Sequence, residues 1–150
     1  MIVRAAPIWQ ALIAAAALAA GLVTFGCTEK LVEPPPTTLA TPDSIQQIFT
    51  AHCALSGCHA GSAPAQNQNL EDAITSYAQI VDVASGERAD LKRIAPGDSA
   101  NSYIIMKLKG TQGIVGQRMP RGFPPLGQDL VSRIAAWAQE GAPGVEVPVP

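Results

Sequence analysis

The sequence predicts an all-α fold of three to five helices with one long irregular loop, and three observations predict it. Apolar residues recur at helical spacing in several short segments, glycine and proline separate those segments, and no alternating run long enough for a strand occurs. At 150 residues the chain has room for one domain of ordinary size.

Residues 1–26 read as an export signal. Arg4 supplies a positive start, and the apolar stretch from Ala11 to Val23 has signal-peptide length, short of the roughly 20 apolar residues of a membrane span. Thr24-Phe25-Gly26-Cys27 resembles a bacterial lipobox, with Thr24 and Phe25 where the pattern usually carries an aliphatic and a small residue. That resemblance implies lipidation at Cys27 and a lipid anchor on the periplasmic side of a bacterial membrane. The alternative is a soluble periplasmic protein in which Cys27 is an incidental thiol. Residues 27–40 are rich in Pro and Thr and include Pro34-Pro35-Pro36, which favours an extended spacer. The folded domain is expected over 41–144, with 145–150 as a flexible tail.

Within that domain, Thr41-Pro42-Asp43 predicts a helix start, with Thr41 as cap, Pro42 at the first helical position and Asp43 near the positive end of the dipole. Ile45, Ile48 and Phe49 then share one face, and the helix delivers the chain to His52-Cys53. A second helical pattern runs from Leu70 to Val83 around Ile74, Tyr77 and Val81. Pro96-Gly97-Asp98-Ser99 predicts a turn. Ser102 or Asn101 then caps a helix through Tyr103, Ile104, Met106, Lys107 and Leu108 that stops at Gly110. Gly and Pro crowd the segment from Thr111 to Leu126, an irregular loop that holds Met119-Pro120. The last helix starts near Gly127-Gln128-Asp129, aligns Leu130, Val131, Ile134, Trp137 and Ala138 on one stripe, and ends at Gly141.

Composition excludes some functions. Ten basic and twelve acidic residues give a formal charge of −2 without a run of either sign, so nucleic acid has no electrostatic footprint to bind. No Ser/His/Asp arrangement or Gly-rich phosphate loop occurs, so no enzyme is expected. Glu71-Asp72 reads as a solvated helix start. Beyond residue 40 the aromatic residues are Phe49, Tyr77, Tyr103, Phe123 and Trp137, thin for a core that must offset the chain's conformational entropy.

Cys53-Ala54-Leu55-Ser56-Gly57-Cys58-His59 is a lengthened form of the Cys-x2-Cys-His haem attachment signature. Two thiols bond the two vinyl groups of a haem, and the His after the second Cys becomes the proximal ligand of its iron. Because the vinyl separation is fixed, the two extra residues must bulge outward, and Ser56-Gly57 permits a tight bulge. Cysteine parity agrees: of three cysteines, lipid takes Cys27 and haem takes Cys53 and Cys58. Two other readings stay open, a Cys53–Cys58 disulfide and a zinc site of His52, Cys53, Cys58 and His59.

For the sixth ligand, His52 is badly placed beside Cys53, and Met106 lies in a helical pattern as a core filler. Met119 lies in the Gly- and Pro-rich loop with Pro120 fixing the backbone beside it, which makes it the expected distal ligand. The bound haem (haem c, one, covalent, with its iron) is expected to fill the thin core against Ile48, Phe49, Leu55, Leu70, Tyr103, Leu108, Leu126 and Trp137. The chain without haem is expected to fold poorly.

Taken together, Ile48-Phe49, Cys-x4-Cys-His, Pro96-Gly97-Asp98, Ser102-Tyr103, Lys107-Leu108, Arg118-Met119-Pro120 and Trp137-Ala138-x2-Gly141-Ala142 resemble the cytochrome c domains of exported planctomycete and myxobacterial proteins. The resemblance covers residues 43–142 and implies a class I cytochrome c fold, with first and last helices packed across each other. It implies an electron carrier whose partners are redox proteins of the cell envelope. A haem-based small-ligand sensor or peroxidase-like site with an open iron position is one alternative; a haem-free, disulfide-stabilised extracellular binding module is the other.

Overall fold

The computed structural model describes residues 36–149. The expected signal segment, Cys27 and the spacer through residue 35 lie outside the described residues. In chain order the elements are β1 (Thr37–Ala40), α1 (Asp43–His52), a short 3-10 turn (Ala65–Asn67), α2 (Ala73–Ile80), α3 (Tyr103–Lys109), α4 (Gln128–Gln139) and β2 (Val145–Pro148).

The all-α expectation is therefore corrected. Four α-helices are joined by a two-stranded antiparallel sheet in which Thr37 pairs with Pro148, Thr38 with Val147, Leu39 with Glu146 and Ala40 with Val145. The strands come from the end of the segment read as a spacer and from the segment read as a flexible tail. An isolated hairpin-sized sheet is marginal in water, so α2 must back it. Tyr77 does this: its Oη donates to the Ala142 carbonyl at 3.3 Å. Gly144 lies so close that a Cβ there would stand 2.9 Å from the ring. Thr38, Val145 and Val147 supply the β-branched character that suits a half-buried pleat.

Helix α1 begins one residue later than the expected cap implies. Pro42 precedes it, and its carbonyl accepts from the N–H groups of Ile45 and Gln46, both at 2.9 Å. Thr41 does not cap: its hydroxyl is buried without a partner, while its N–H donates to the Ala73 carbonyl at 2.8 Å and ties α1's entry to α2. The predicted face of Ile45, Ile48 and Phe49 is buried. In α2, Asp72 is the working cap, its carboxylate accepting from the Thr75 N–H at 2.9 Å. The helix is shorter than the periodic pattern, and Ser76 and Ile80 face inward while Ile74 is exposed.

After α2 the chain doubles back as a strap over residues 81–94, held by bridges between Val81 and Ile94 and between Ala84 and Lys92. Helix α3 ends at Gly110, whose φ of +66° makes it the left-handed cap the sequence predicts. Helix α4 runs from Gly127 and buries Val131, Ile134, Trp137 and Ala138. One apolar core gathers these with Ile45, Ile48, Phe49, Leu70, Ile80, Ile94, Ile105 and Leu108. Helices α1 and α4 touch, and Arg133 reaches across to the Ser44 carbonyl at 2.9 Å. Among the described residues no helix is long and apolar enough to cross a membrane.

Candidate functional site: one cleft gathers the Cys, His and Met positions

The segment from Cys53 to His59 leaves α1 as a closed loop. The N–H groups of Cys53 and Ala54 both donate to the Phe49 carbonyl at 2.8 Å, ending the helix. The Cys58 N–H then donates to the Leu55 carbonyl at 2.9 Å, and that of His59 to the Cys53 carbonyl at 3.2 Å. Gly57 holds the third position of the Leu55–Cys58 turn at a φ of +75°, a slot that favours glycine. Ser56 and Gly57 are exposed, while Cys53 and Cys58 are half-buried free thiols.

Burial, with a smaller push from Cys58, raises the Cys53 thiol to about 12, so it is a neutral thiol at any physiological pH. His59 is oriented by Gln68, whose carbonyl lies 3.1 Å from Nδ1. A carbonyl only accepts, so Nδ1 carries the proton and Nε2 keeps its lone pair. Burial holds the imidazolium below its ordinary value against the opposing pull of the Gln68 and Ala65 backbone, which keeps the ring neutral and able to ligate.

Both thiols, His59 and Met119 line one half-open cleft of about 270 Å³. Its apolar wall includes Phe49, Leu55, Leu70, Tyr103 and Leu108, as the sequence predicts. Ile48, Leu126 and Trp137, also expected there, pack into the core instead. Met119 is half-buried, and its N–H donates to the Lys107 carbonyl at 2.9 Å. Met106 is half-buried on α3 and does not line the cleft. His52 is exposed and also borders the cleft.

Besides the exposed Arg121, sequence reasoning missed three charged residues of the cleft wall. Arg93 is 9% exposed, donates to the Gln79 carbonyl at 2.8 Å and the Gln66 carbonyl at 2.7 Å, and pairs with no carboxylate among the described residues. Glu87 and Lys107 form an ion pair at 2.9 Å with side chains 20% and 8% exposed. Burial pushes the Glu87 carboxyl up, and the hydrogen bonds from Lys107 and Tyr103 outweigh it and hold it below the usual carboxylate range. The available signal was position: Lys107 follows Tyr103 by one helical turn and so shares its inward face. Arg93 and Glu87 lie in a segment with no periodicity, which left no signal to read.

Among the described residues no three His, Cys, Asp or Glu side chains converge to hold a metal ion, so the zinc reading has no geometry. The two thiols are likewise not joined to each other. No protein-family model, curated protein or solved structure matches this chain, and the geometry of the cleft is what carries a functional reading.

Proposed function

We propose that the chain is an exported mono-haem electron carrier of the c type, with haem c held through Cys53 and Cys58 and with His59 and Met119 as axial ligands. One observation carries the reading: the fold brings Met119 into the same cleft as a His preceded by two free thiols.

The residues fit that group chemically. The free Cys53 and Cys58 thiols suit thioether attachment, and the Nε2 lone pair of His59 is freed by the bond at Nδ1. Met119 offers a soft sulfur, a ligand that raises reduction potential relative to a second His. Arg93 brings a buried cation to the wall, suited to the acidic side groups that a haem carries. Bound haem supplies an iron that gains and loses one electron by outer-sphere transfer, and the half-open cleft leaves an edge for a redox partner of the cell envelope. The protein is accordingly a carrier and no enzyme. It acts on the periplasmic side of a bacterial membrane, tethered there through Cys27.

The test is maturation of the full chain in a bacterial host that attaches haem to c-type proteins. The Cys53–His59 peptide should gain the full mass of haem. Met119→Ala should keep that mass yet lose the weak far-red sulfur-to-iron band and show a lower potential. A colourless protein with an unmodified peptide refutes the carrier reading. A haem-bearing protein whose spectrum ignores Met119→Ala leaves the distal position open to a small ligand instead.

A further inference from the structure

The loop that carries Met119 has no helix or strand of its own, yet it is tied down by a buried cluster on one wall of the cleft. The tip of the 81–94 strap places Glu87 against α3, where its carboxylate accepts from Tyr103 Oη at 2.8 Å and Lys107 Nζ at 2.9 Å. Both donors reach on to the loop. Lys107 Nζ donates to the Val115 carbonyl at 2.7 Å, and the Val115 N–H donates to Tyr103 Oη at 2.9 Å. The neighbouring Arg88 donates to the Gly113 carbonyl at 2.7 Å. The Lys107 backbone carbonyl receives the Met119 N–H itself at 2.9 Å.

We propose that Glu87, Lys107 and Tyr103 act as a strut that positions Met119, which rests on the carrier reading above. Ion pairs this buried seldom improve stability over apolar side chains of the same volume, so stability alone gives no reason to keep this one. Its geometry does give one. Every bond the two α3 side chains make runs either to Glu87 or to Val115, and Val115 stands on the chain between α3 and Met119. With the strut cut, the loop keeps the Arg88 bond to Gly113 and the Met119 N–H bond to the Lys107 carbonyl but loses those at Val115, and the Met119 sulfur spends time away from the cleft.

The experiment uses the haem-bearing full chain, with attachment verified first by the mass of the Cys53–His59 peptide. Variants are Tyr103→Phe, Glu87→Gln and Lys107→Met, with Ile134→Val as a control that loosens the core on α4 and touches no part of the strut. Two readouts apply: amide hydrogen exchange at Val115 and Met119, and the affinity of added imidazole, which must displace Met119 to bind iron. In the strut variants both should rise about tenfold or more, the factor that losing one hydrogen bond to a charged group carries. In Ile134→Val neither should move beyond the change in global stability. Lys107→Arg, which keeps a cation near both oxygens, should stay closer to the parent than Lys107→Met. Unchanged exchange and imidazole affinity in Tyr103→Phe and Lys107→Met overturn the strut. Failure of the carrier reading is separate, since it shows earlier as a peptide of unmodified mass.

Discussion

On the carrier reading proposed above, replacing Gly57 with alanine should slow haem attachment far more than it weakens the fold. At a φ of +75° the residue sits in the left-handed region, where an L side chain costs roughly 1–2 kcal/mol. A Cβ there would meet nothing within 4 Å, so no clash adds to that figure. Alanine's smaller unfolded-state entropy returns about 0.5 kcal/mol, leaving a net loss of about 1 kcal/mol. All of it falls on the Leu55–Cys58 turn that sets the separation of the two thiols. A loss of that size lowers the closed-to-open ratio of the turn about fivefold, because 1.4 kcal/mol is about tenfold. Gly141 supplies the control, since its φ is +95°, its Cβ direction is equally open, and it lies past α4 away from the cysteines. Thermal unfolding of the matured proteins should drop by about 4–8 °C in both Gly57→Ala and Gly141→Ala. Mass spectrometry of the Cys53–His59 peptide early after induction should show about a fivefold lower modified fraction in Gly57→Ala alone. Equal early fractions in the two variants would refute the claim that this turn presents the thiols for attachment.

The sheet and the acid limit of the fold offer two further checks. Gly144→Ala would drive a methyl to 2.9 Å from the Tyr77 ring and 3.0 Å from the Leu39 Cβ, and overpacking of this kind costs about 1–3 kcal/mol; urea unfolding should show it, and an unchanged midpoint would argue against the close approach of Gly144 to Tyr77 of α2. Glu71 holds the loop after His59 by accepting from the Gly61 N–H and from Asn69 Nδ2, both at 2.9 Å. Those bonds, Gly61 first, hold its carboxyl below the ordinary value of 4.5. A depressed value means the stabilisation is present above the unfolded range and is lost as pH falls through the folded one. Glu71→Ala should therefore be less stable than the parent at pH 7, with the gap closing below about pH 4; a gap that persists unchanged at pH 2 would contradict this.

What the sequence made legible was whatever repeats or punctuates. The faces of α1 and α4, the stop at Gly110 and the irregular stretch around Met119 follow from 3.6-residue spacing and from glycine and proline, and each was found. The two strands were hidden for an equally physical reason. Each is four residues long, too short for alternation to register. Pro36 lies beside one and Pro148 ends the other, and their pairing joins the two ends of the described chain, a separation that no local pattern reports. Thr41 misled because its chemistry suits a cap, while the chain uses its N–H toward Ala73 and leaves its hydroxyl buried. Within the site, the cysteines, His59 and Met119 announced themselves by residue type and spacing. Arg93 and Glu87 did not, since a surface residue and a buried one of the same type look alike in sequence.

Those hidden charges explain how a cleft walled largely by irregular chain is held in shape. Loop carbonyls buried away from water must find donors, and here side chains supply them. Arg93 satisfies Gln66 and Gln79, Lys107 satisfies Val115, Gln46 reaches the Leu70 carbonyl at 2.9 Å, and His59 meets that of Gln68. The ties cross between segments of the chain, and all five begin or end on residues of the cleft wall. An electron carrier gains from such cross-bracing, because the less its ligands move between oxidation states, the smaller the barrier to transfer. A site built to close on a substrate would place its wall on loops with few such ties, drawn from the least stable part of the fold. The density of side-chain to backbone bonds around His59 and the Met119 loop therefore favours a fixed ligand cage over a site that opens and shuts.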